Sequence, residues 1–246
     1  MNIHDKKGIV KVIKVVQTKG KLFIVSTPIG NLGDMTYRAV ETLNNVPLIA
    51  AEDTRHSRKL LSHYEISTPL ISYFEHNRFT RIPKIINHLN SGKDLAVITD
   101  AGTPGISDPA YKLIRESLLH DITIESIPGA SASLAALVSS GLPTDRFLFE
   151  GFLPPKKGRK ARIARVENEQ STLIYYESPK RIQRTLKHLL EGLGDRPAVV
   201  ARELTKLYEE IKRGTLSDLL TYFTKHPPKG ECVILVGKDD PNVYFK

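Results

Sequence analysis

Short apolar runs alternate along this chain with segments whose apolar residues recur at helical spacing. The first run covers 21–25, and Tyr37, Val40 and Leu43 share one face of the helix predicted after it, with Thr36 as its cap. Further strands are predicted at 48–51, 70–74, 95–98 and 122–127, with helices between them, the third of these over 82–89. This alternation favours an α/β domain with a largely parallel sheet.

The same alternation resumes after a turn-rich stretch at 141–144. Strands are predicted at 146–150, 171–176, 197–201 and 231–236, a β element with a turn near 210–215, and helices between them. We therefore predict an α/β protein of two α/β domains, at 21–141 and 145–240. Residues 1–20 are interpreted as an N-terminal extension of open role, in which 9–16 has the pattern of a strand.

Composition narrows the class of protein. The chain has 246 residues, 40% of them hydrophobic, which is enough for a large core. Its apolar runs fall short of the roughly 20 residues of a membrane span, and its start lacks a signal-peptide core. A single cysteine, Cys232, excludes an internal disulfide and a multi-cysteine metal site. The histidines lack metal-ligand spacing, so we expect no bound metal. Because a membrane span and a signal-peptide core are both missing from the pattern, we expect a cytoplasmic protein with no membrane partner.

Four loops at predicted strand ends are rich in glycine, proline and hydroxyl side chains: 27–34, 99–109, 128–133 and 177–179. In open α/β sheets, ligands bind outside the carboxyl ends of the strands. Neither the P-loop pattern nor the G-x-G-x-x-G pattern occurs, which argues against a conventional phosphate or dinucleotide site. One such loop is an ordinary turn, but four at corresponding positions predict a ligand cleft.

Carboxylates stand at the same strand ends. Asp53, Asp100 and Glu177 are candidates for positioning a hydroxyl group and accepting its proton. Taken singly, loop carboxylates are usually helix caps or solvated charges. The sequence does not decide which of the three is the base, or whether bulk water accepts the proton.

Positive charge is concentrated at the start of the second predicted domain. The net charge is +9, and residues 154–165 contain six cationic residues and no acidic one. Such a cluster, with aromatic residues nearby, is typical of RNA binding, although a charge run is more often a solvated face. The predicted RNA contacts are Lys156, Lys157, Arg159, Lys160, Arg162, Lys180 and Arg181, and Arg184 follows them in the next helix.

Six motifs together carry a family resemblance. They are TPIGNLGD at 27–34, AEDTR at 51–55, TDAGTPGISDP at 99–109, PGASA at 128–132, YESPKR at 176–181 and ARELTK at 201–206. With them, the chain resembles the tetrapyrrole (corrin/porphyrin) methylase superfamily from about 21 to 237. Within it, the chain looks like the branch that methylates the 2'-oxygen of a cytidine in bacterial small-subunit ribosomal RNA.

The resemblance implies two α/β domains with S-adenosylmethionine bound between them, a homodimer, and a ribosomal RNA or small-subunit substrate modified in the decoding region of 16S RNA. By position, it implies a cofactor site made of Pro28, Gly102, Thr103, Ile106, Ser131, Ala132, Tyr176, Ala201 and Gly230.

Two features depart from the family pattern. The first is the extension before Lys21. The second is the end at Lys246, where many relatives continue into a small helical tail. If that tail holds RNA, we expect RNA binding here to depend on the basic loop. A tetrapyrrole methyltransferase acting on a uroporphyrinogen or precorrin, and a non-catalytic RNA-binding protein, remain as alternatives. The six-cation segment speaks against the first of them, because a compact macrocycle needs no such patch.

Overall fold

A computed structural model describes residues 18–245. The strand pattern at 9–16 of the predicted extension lies outside the described residues. Within them, no helix is both long and apolar enough to cross a membrane.

The first half of the chain forms one parallel sheet of five strands in the order β3-β2-β4-β1-β5. The strands are β1 (Leu22–Val25), β2 (Ile49–Ala51), β3 (Leu70–Ser72), β4 (Leu95–Ile98) and β5 (Ile124–Ile127). The helices are α1 (Tyr37–Asn45), α2 (Thr54–His63), α3 (Arg78–Asn90), α4 (Ala110–Leu119) and α5 (Ala132–Ser140). The predicted α/β class and parallel sheet are confirmed.

Helices cover both faces of this sheet, so its central strands are apolar on both sides. In β4, Leu95 and Val97 pack into one core cluster, whereas Ala96 and Ile98 pack into the other. This alternation follows from the two-residue period of a strand. It explains why β4 appears in the sequence as a continuous apolar run.

Two helices begin earlier than the sequence pattern indicates, which places their starts at residues 58 and 82. Helix α2 begins at Thr54, because the Asp53 carboxylate accepts a hydrogen bond from the Arg55 amide at 2.8 Å and caps it. Helix α3 begins at Arg78 instead of residue 82, and Pro83 lies inside it. Proline is usually a helix breaker, which is why the first turn of α3 is not evident from the sequence.

The second half forms a mixed sheet in the order β6-β7-β10-β8-β9. Its strands are β6 (Phe147–Phe152), β7 (Thr172–Glu177), β8 (Pro197–Arg202), β9 (Glu210–Thr215) and β10 (Cys232–Val236), and its helices are α6 (Arg159–Ala164), α7 (Ile182–Leu193) and α8 (Leu216–Lys225). In this sheet β6 and β7 pair in parallel. The last strand, β10, lies antiparallel between β7 and β8, and β9 is antiparallel to β8.

Helix α5 connects the two halves. Ala136 and Leu137 of α5 lie in one apolar cluster with Ile174, Val199 and Leu235 of the second sheet. The opposite face of that sheet packs against α6, α7 and α8. Because α5 follows β5 directly and packs on the second sheet, it holds the strand ends of the first sheet beside the second.

Candidate active site

All four loops that the sequence singles out reach one cavity of about 450 Å³. Ile29 comes from the first loop, the second contributes residues between Thr99 and Asp108, and Ser131 and Ala132 come from the third. The second sheet supplies the opposite wall: Phe152, Tyr176, Glu177, Ser178, Pro179, Ala201, Leu204, Glu231, Cys232 and Val233. The cavity therefore lies at the carboxyl ends of the parallel strands, where ligands bind in this class of sheet.

The loop at 99–109 is held in shape by hydrogen bonds to the loop at 27–34 and by hydrogen bonds of its own. Thr27 and Gly102 exchange two backbone hydrogen bonds of 2.9 and 3.0 Å. Gly102 has a φ of +81°, a conformation that glycine adopts without steric cost. The Asp108 carboxylate accepts hydrogen bonds from the amides of Gly105 and Ala110, each at 2.8 Å. The loop thus presents a preorganised wall to a ligand.

Tyr176 joins the two halves across the cavity. Its hydroxyl accepts a hydrogen bond from the Ser133 amide at 3.2 Å, at the N-terminus of α5. Its ring packs edge-on against Phe149 and Phe152, with centroid distances of 5.0 and 5.6 Å. The result is an aromatic wall that is positioned by a contact to the first half.

Most of the predicted cofactor residues line this cavity: Gly102, Thr103, Ile106, Ser131, Ala132, Tyr176 and Ala201. Pro28 and Gly230 do not, although their neighbours Ile29 and Glu231 do. Gly230 has a φ of +78°, and a Cβ there would meet the Glu203 carboxylate. Its requirement for glycine therefore comes from its positive φ and from Glu203, and not from the cavity.

The ionisable side chains of the cavity wall are acidic, and two of them, Glu177 and Glu231, are ion-paired with cations outside the wall. Among its lining residues are Glu52, Asp100, Asp108, Glu177 and Glu231, whereas none of the lining residues is a lysine, an arginine or a histidine. Such a wall disfavours phosphate groups and suits a cation.

The cavity fits S-adenosylmethionine, which carries a sulfonium and an ammonium charge. Ile29, Ile106, Phe152 and Tyr176 supply the apolar surface that an adenine ring requires. The cavity volume of about 450 Å³ is within the range of roughly 300–1,000 Å³ of small-molecule sites.

Asp100 is the one of the three candidate bases that both lines the cavity and is not neutralised by a cation. Its carboxylate accepts a hydrogen bond from the Asp53 amide at 3.1 Å. Burial raises the pKa of Asp100 above its ordinary value, and the Asp53 amide opposes this shift. Beside it, the Glu52 carboxylate accepts a hydrogen bond from the Thr99 hydroxyl at 2.6 Å.

Asp53 lies outside the cavity wall and caps α2. The Arg55 amide, which donates to its carboxylate, lowers the pKa of Asp53. Its position is that of a helix cap, so the structure brings only its backbone amide to Asp100.

Glu177 lines the cavity, but its carboxylate is surrounded by partners. Arg181 lies at 2.6 Å from Oε1, Arg159 at 3.5 Å from Oε2, and the Thr185 hydroxyl donates to Oε2 at 2.5 Å. The Ser178 amide also donates to Oε1. A carboxylate with this many partners is a structural brace, because both of its oxygens are already engaged by ion pairs and hydrogen bonds.

The predicted RNA-contact residues divide into exposed lysines, ion-paired arginines and one buried arginine. Lys156, Lys157, Lys160 and Lys180 are exposed. Arg162 is ion-paired with Glu150 at 2.6 Å, and the guanidinium of Arg181 is engaged by Glu177.

The predicted RNA contact at Arg159 is wrong, because its side chain is only 2% exposed. It points inward and donates from Nε to Nδ1 of His188 at 3.0 Å and from Nη1 to the Pro154 carbonyl at 3.2 Å. The sequence pattern gives no sign of this, since Arg159 stands within an otherwise solvated run of cations.

Several wall residues were not selected from the sequence. Glu52 and Asp108 stand inside recognised motifs, which is a usable signal. Cys232 and Val233 reach the cavity only because β10 inserts between β7 and β8, and this long-range pairing has no local signal. Within 18–245, no cluster of three or more histidine, cysteine or acidic side chains is arranged to hold a metal ion.

Comparison with known proteins places these features in a family. The sequence model of the tetrapyrrole (corrin/porphyrin) methylases matches residues 21–220. A protein of Synechocystis named ribosomal RNA small subunit methyltransferase I is 52% identical over 221 residues, or 89% of this chain and 79% of the relative. A protein of the same name from Thermotoga maritima is 46% identical, over 89% of this chain and 100% of the relative.

A solved structure gives independent support for the fold. Uroporphyrin-III C-methyltransferase from Thermus thermophilus superposes with a TM-score of 0.62 at 17% identity, over 89% of this chain and 95% of the other. At this identity the likeness concerns the fold alone. The two five-stranded sheets of this chain agree with the expected α/β fold of this family.

Proposed function

Because the chain belongs to the family of tetrapyrrole (corrin/porphyrin) methylases, we propose that it methylates the 2'-oxygen of a cytidine ribose in the decoding region of bacterial small-subunit (16S) ribosomal RNA. The chain is a methyltransferase whose cofactor is S-adenosylmethionine. Its relatives named ribosomal RNA small subunit methyltransferase I support the class of substrate. We place its action in the cytoplasm.

The observation that carries the proposal is the contrast between the cavity and its surroundings. The cavity wall is apolar and anionic, whereas the segment that follows β6 exposes Lys156, Lys157 and Lys160. The first environment suits a cationic cofactor, and the second suits a polyanion. A ribose hydroxyl of RNA brought to the cavity connects the two.

We assign the roles of this chain's residues accordingly. Gly102, Thr103 and Ser131 hold the cofactor from the first half, and Tyr176 and Ala201 from the second. When bound, S-adenosylmethionine supplies a methyl group that is already activated by the positively charged sulfur.

Asp100 is the proposed general base, which accepts the proton of the ribose hydroxyl. A pKa raised by burial makes this carboxylate a better proton acceptor than an ordinary aspartate. The enclosing walls exclude water and fix the orientation of the hydroxyl.

We also propose that the protein acts as a homodimer. Leu134 and Val138 are four residues apart on α5 and exposed, whereas Ala136 and Leu137 of the same helix are buried. An exposed apolar strip of this kind is suited to a second copy of the chain. Light scattering should then give a mass of twice 27.5 kDa, and Val138→Glu should give the single mass.

The test uses S-adenosylmethionine labelled in its methyl group and three acceptors: unmodified small ribosomal subunits, the naked RNA, and a uroporphyrinogen. We expect label in the RNA of the subunits or in the naked RNA, and none in the macrocycle. Label in the macrocycle alone would establish the tetrapyrrole alternative. RNA binding without transfer to any acceptor, and without heat on titration with the cofactor, would establish a non-catalytic binding protein.

A further inference from the structure

A second concave surface lies outside the cavity, between α6, α7 and α8. It has a volume of about 610 Å³ and is lined by Lys160 of α6, by Arg184, Lys187 and His188 of α7, and by Thr224 of α8, among others. We call it the basic groove. Of its cationic side chains, only Lys160 belongs to the exposed lysines that the proposed function already uses.

The cations of the groove follow from the amphipathic pattern of α7. Ile182, Leu186 and Leu189 are buried in the core of the second sheet, so residues on the opposite side of the helix face solvent. Arg184 and Lys187 are on that exposed side. They are three residues apart, a spacing that places side chains in one stripe along a helix, and Lys180 precedes them in the 3-10 turn Pro179–Arg181.

The stripe begins at the mouth of the cavity. Ser178 and Pro179 line the cavity, and Lys180 follows them directly in the chain. Helix α7 begins at Ile182, two residues after Lys180, and at about 1.5 Å per residue it carries Lys187 roughly 8 Å further from the cavity.

One buried side chain joins the cavity wall to the floor of the groove. Arg159 contacts Glu177, which lines the cavity, and donates to Nδ1 of His188, which lines the groove. The distance and orientation between the two surfaces are therefore fixed by an internal contact and not by a loop.

Little of the positive charge in the groove is compensated. Among the described residues, the groove cations make one ion pair, between Lys187 and Glu191 at 4.0 Å, and the two side chains are 66% and 50% exposed. An exposed pair of this kind is weak in water. Lys160, Arg184 and Lys187 are thus available to an anionic ligand.

We propose that the basic groove binds the phosphate backbone of the RNA strand that carries the target nucleotide, with Lys160, Arg184 and Lys187 as phosphate ligands. This inference rests on the proposed function for the identity of the strand. A strand whose ribose enters the cavity continues past Lys180 and along α7, and its phosphates release counterions to these side chains. An acidic protein segment is the competing occupant, and the test includes it.

The test compares two double variants that remove the same charge. Arg184→Gln/Lys187→Gln changes the groove, and Lys84→Gln/Arg115→Gln changes exposed residues of α3 and α4 as the control. The probe is a fluorescent fragment of small-subunit ribosomal RNA that spans the decoding region, and its Kd is measured by anisotropy between 50 and 300 mM salt.

For the groove variant we expect a Kd at least tenfold higher at low salt. We also expect a slope of log K against log salt that is smaller by about 1.4, since each phosphate contact of a single strand contributes about 0.7. The control should match the wild type in both, and all three proteins should bind S-adenosylmethionine equally in calorimetry.

An unchanged slope and Kd in the groove variant, or an equal loss in the control, would overturn the proposal. So would displacement of the RNA by polyglutamate at lower concentration than by unlabelled RNA. Failure of the proposed function is distinguishable. If RNA binds through the groove but gains no methyl group, the groove proposal stands and the proposed methylation of RNA is refuted. If RNA is methylated while the groove variant binds normally, only the groove proposal falls.

Discussion

The guanidinium of Arg159 lies 3.5 Å from the carboxylate of Glu177, and the two side chains are 2% and 0% exposed. Arg159 begins α6, two residues after the exposed Lys157, and Glu177 ends β7 in the cavity wall. A buried pair therefore connects the segment that we expect to bind RNA with the site that we expect to bind the cofactor. Its geometry makes Arg159 a support of both sites and not a contact to either ligand.

Removing the charge of Arg159 should destabilise the protein strongly. Arg159→Met leaves Glu177 buried with Arg181 as its remaining cation, and loss of one partner of a buried pair typically costs about 3–5 kcal/mol. We expect a loss of about 3 kcal/mol in the free energy of urea unfolding. Lys160→Met, at the exposed neighbouring position, should stay within about 0.5 kcal/mol of the wild type. An Arg159→Met protein as stable as the Lys160→Met control would show that the pair contributes nothing.

The pH dependence of methyl transfer should report on Asp100. Only the ionised carboxylate accepts a proton, so kcat falls as the pH falls through the pKa of Asp100, which burial places above that of an ordinary aspartate. Asp100→Asn should lower kcat by about 10²–10⁴ and abolish this acidic limb. Asp53→Asn keeps a good helix cap and should change kcat only a few-fold. An Asp100→Asn enzyme with the wild-type acidic limb would exclude Asp100 as the base.

A large side chain at Ser131 should block the cofactor. Ser131 lines the cavity at the N-terminus of α5, and a tryptophan there would occupy space that the ligand requires. For Ser131→Trp we expect the Kd for S-adenosylmethionine in calorimetry to rise by about a hundredfold, equivalent to roughly 2.7 kcal/mol. Ser67→Trp, on an exposed loop away from the cavity, should bind as the wild type does. Equal affinity in both variants would place the cofactor elsewhere.

Neutralising the exposed lysines next to α6 should weaken RNA binding and its salt dependence. For Lys156→Gln/Lys157→Gln/Lys160→Gln we expect the slope of log K against log salt to fall by about 2, at about 0.7 for each lost contact with a single strand. The affinity for S-adenosylmethionine should not change, because none of these residues lines the cavity. An unchanged slope would identify the cluster as ordinary solvated surface.

Local patterns were sufficient to predict the strands and the four loops of the cavity. Short apolar runs and turn residues are local features of the chain, which is why the parallel sheet around β4 and the loop at 99–109 were predictable. The position of β10 was not, because its pairing with β7 and β8 joins residues distant in sequence and brings Cys232 and Val233 to the cavity.

The direction of a side chain was also beyond the sequence pattern. Arg159 and Lys160 are adjacent cations, yet one is buried against Glu177 and the other is exposed. A run of charge shows where cations are concentrated, but burial depends on the partner that the fold supplies. Here that partner is a carboxylate at the end of a strand 18 positions later in the chain.

The measurement that tests the central claim most directly is the identity of the methylated nucleoside. Unmodified small ribosomal subunits are incubated with the protein and S-adenosylmethionine, and their RNA is digested to nucleosides and analysed by mass spectrometry. The account predicts 2'-O-methylcytidine, with the added mass on the ribose, and its absence when Ser131→Trp replaces the wild type. A methyl group on the cytosine base, or no methylated nucleoside while a uroporphyrinogen gains one, would contradict it.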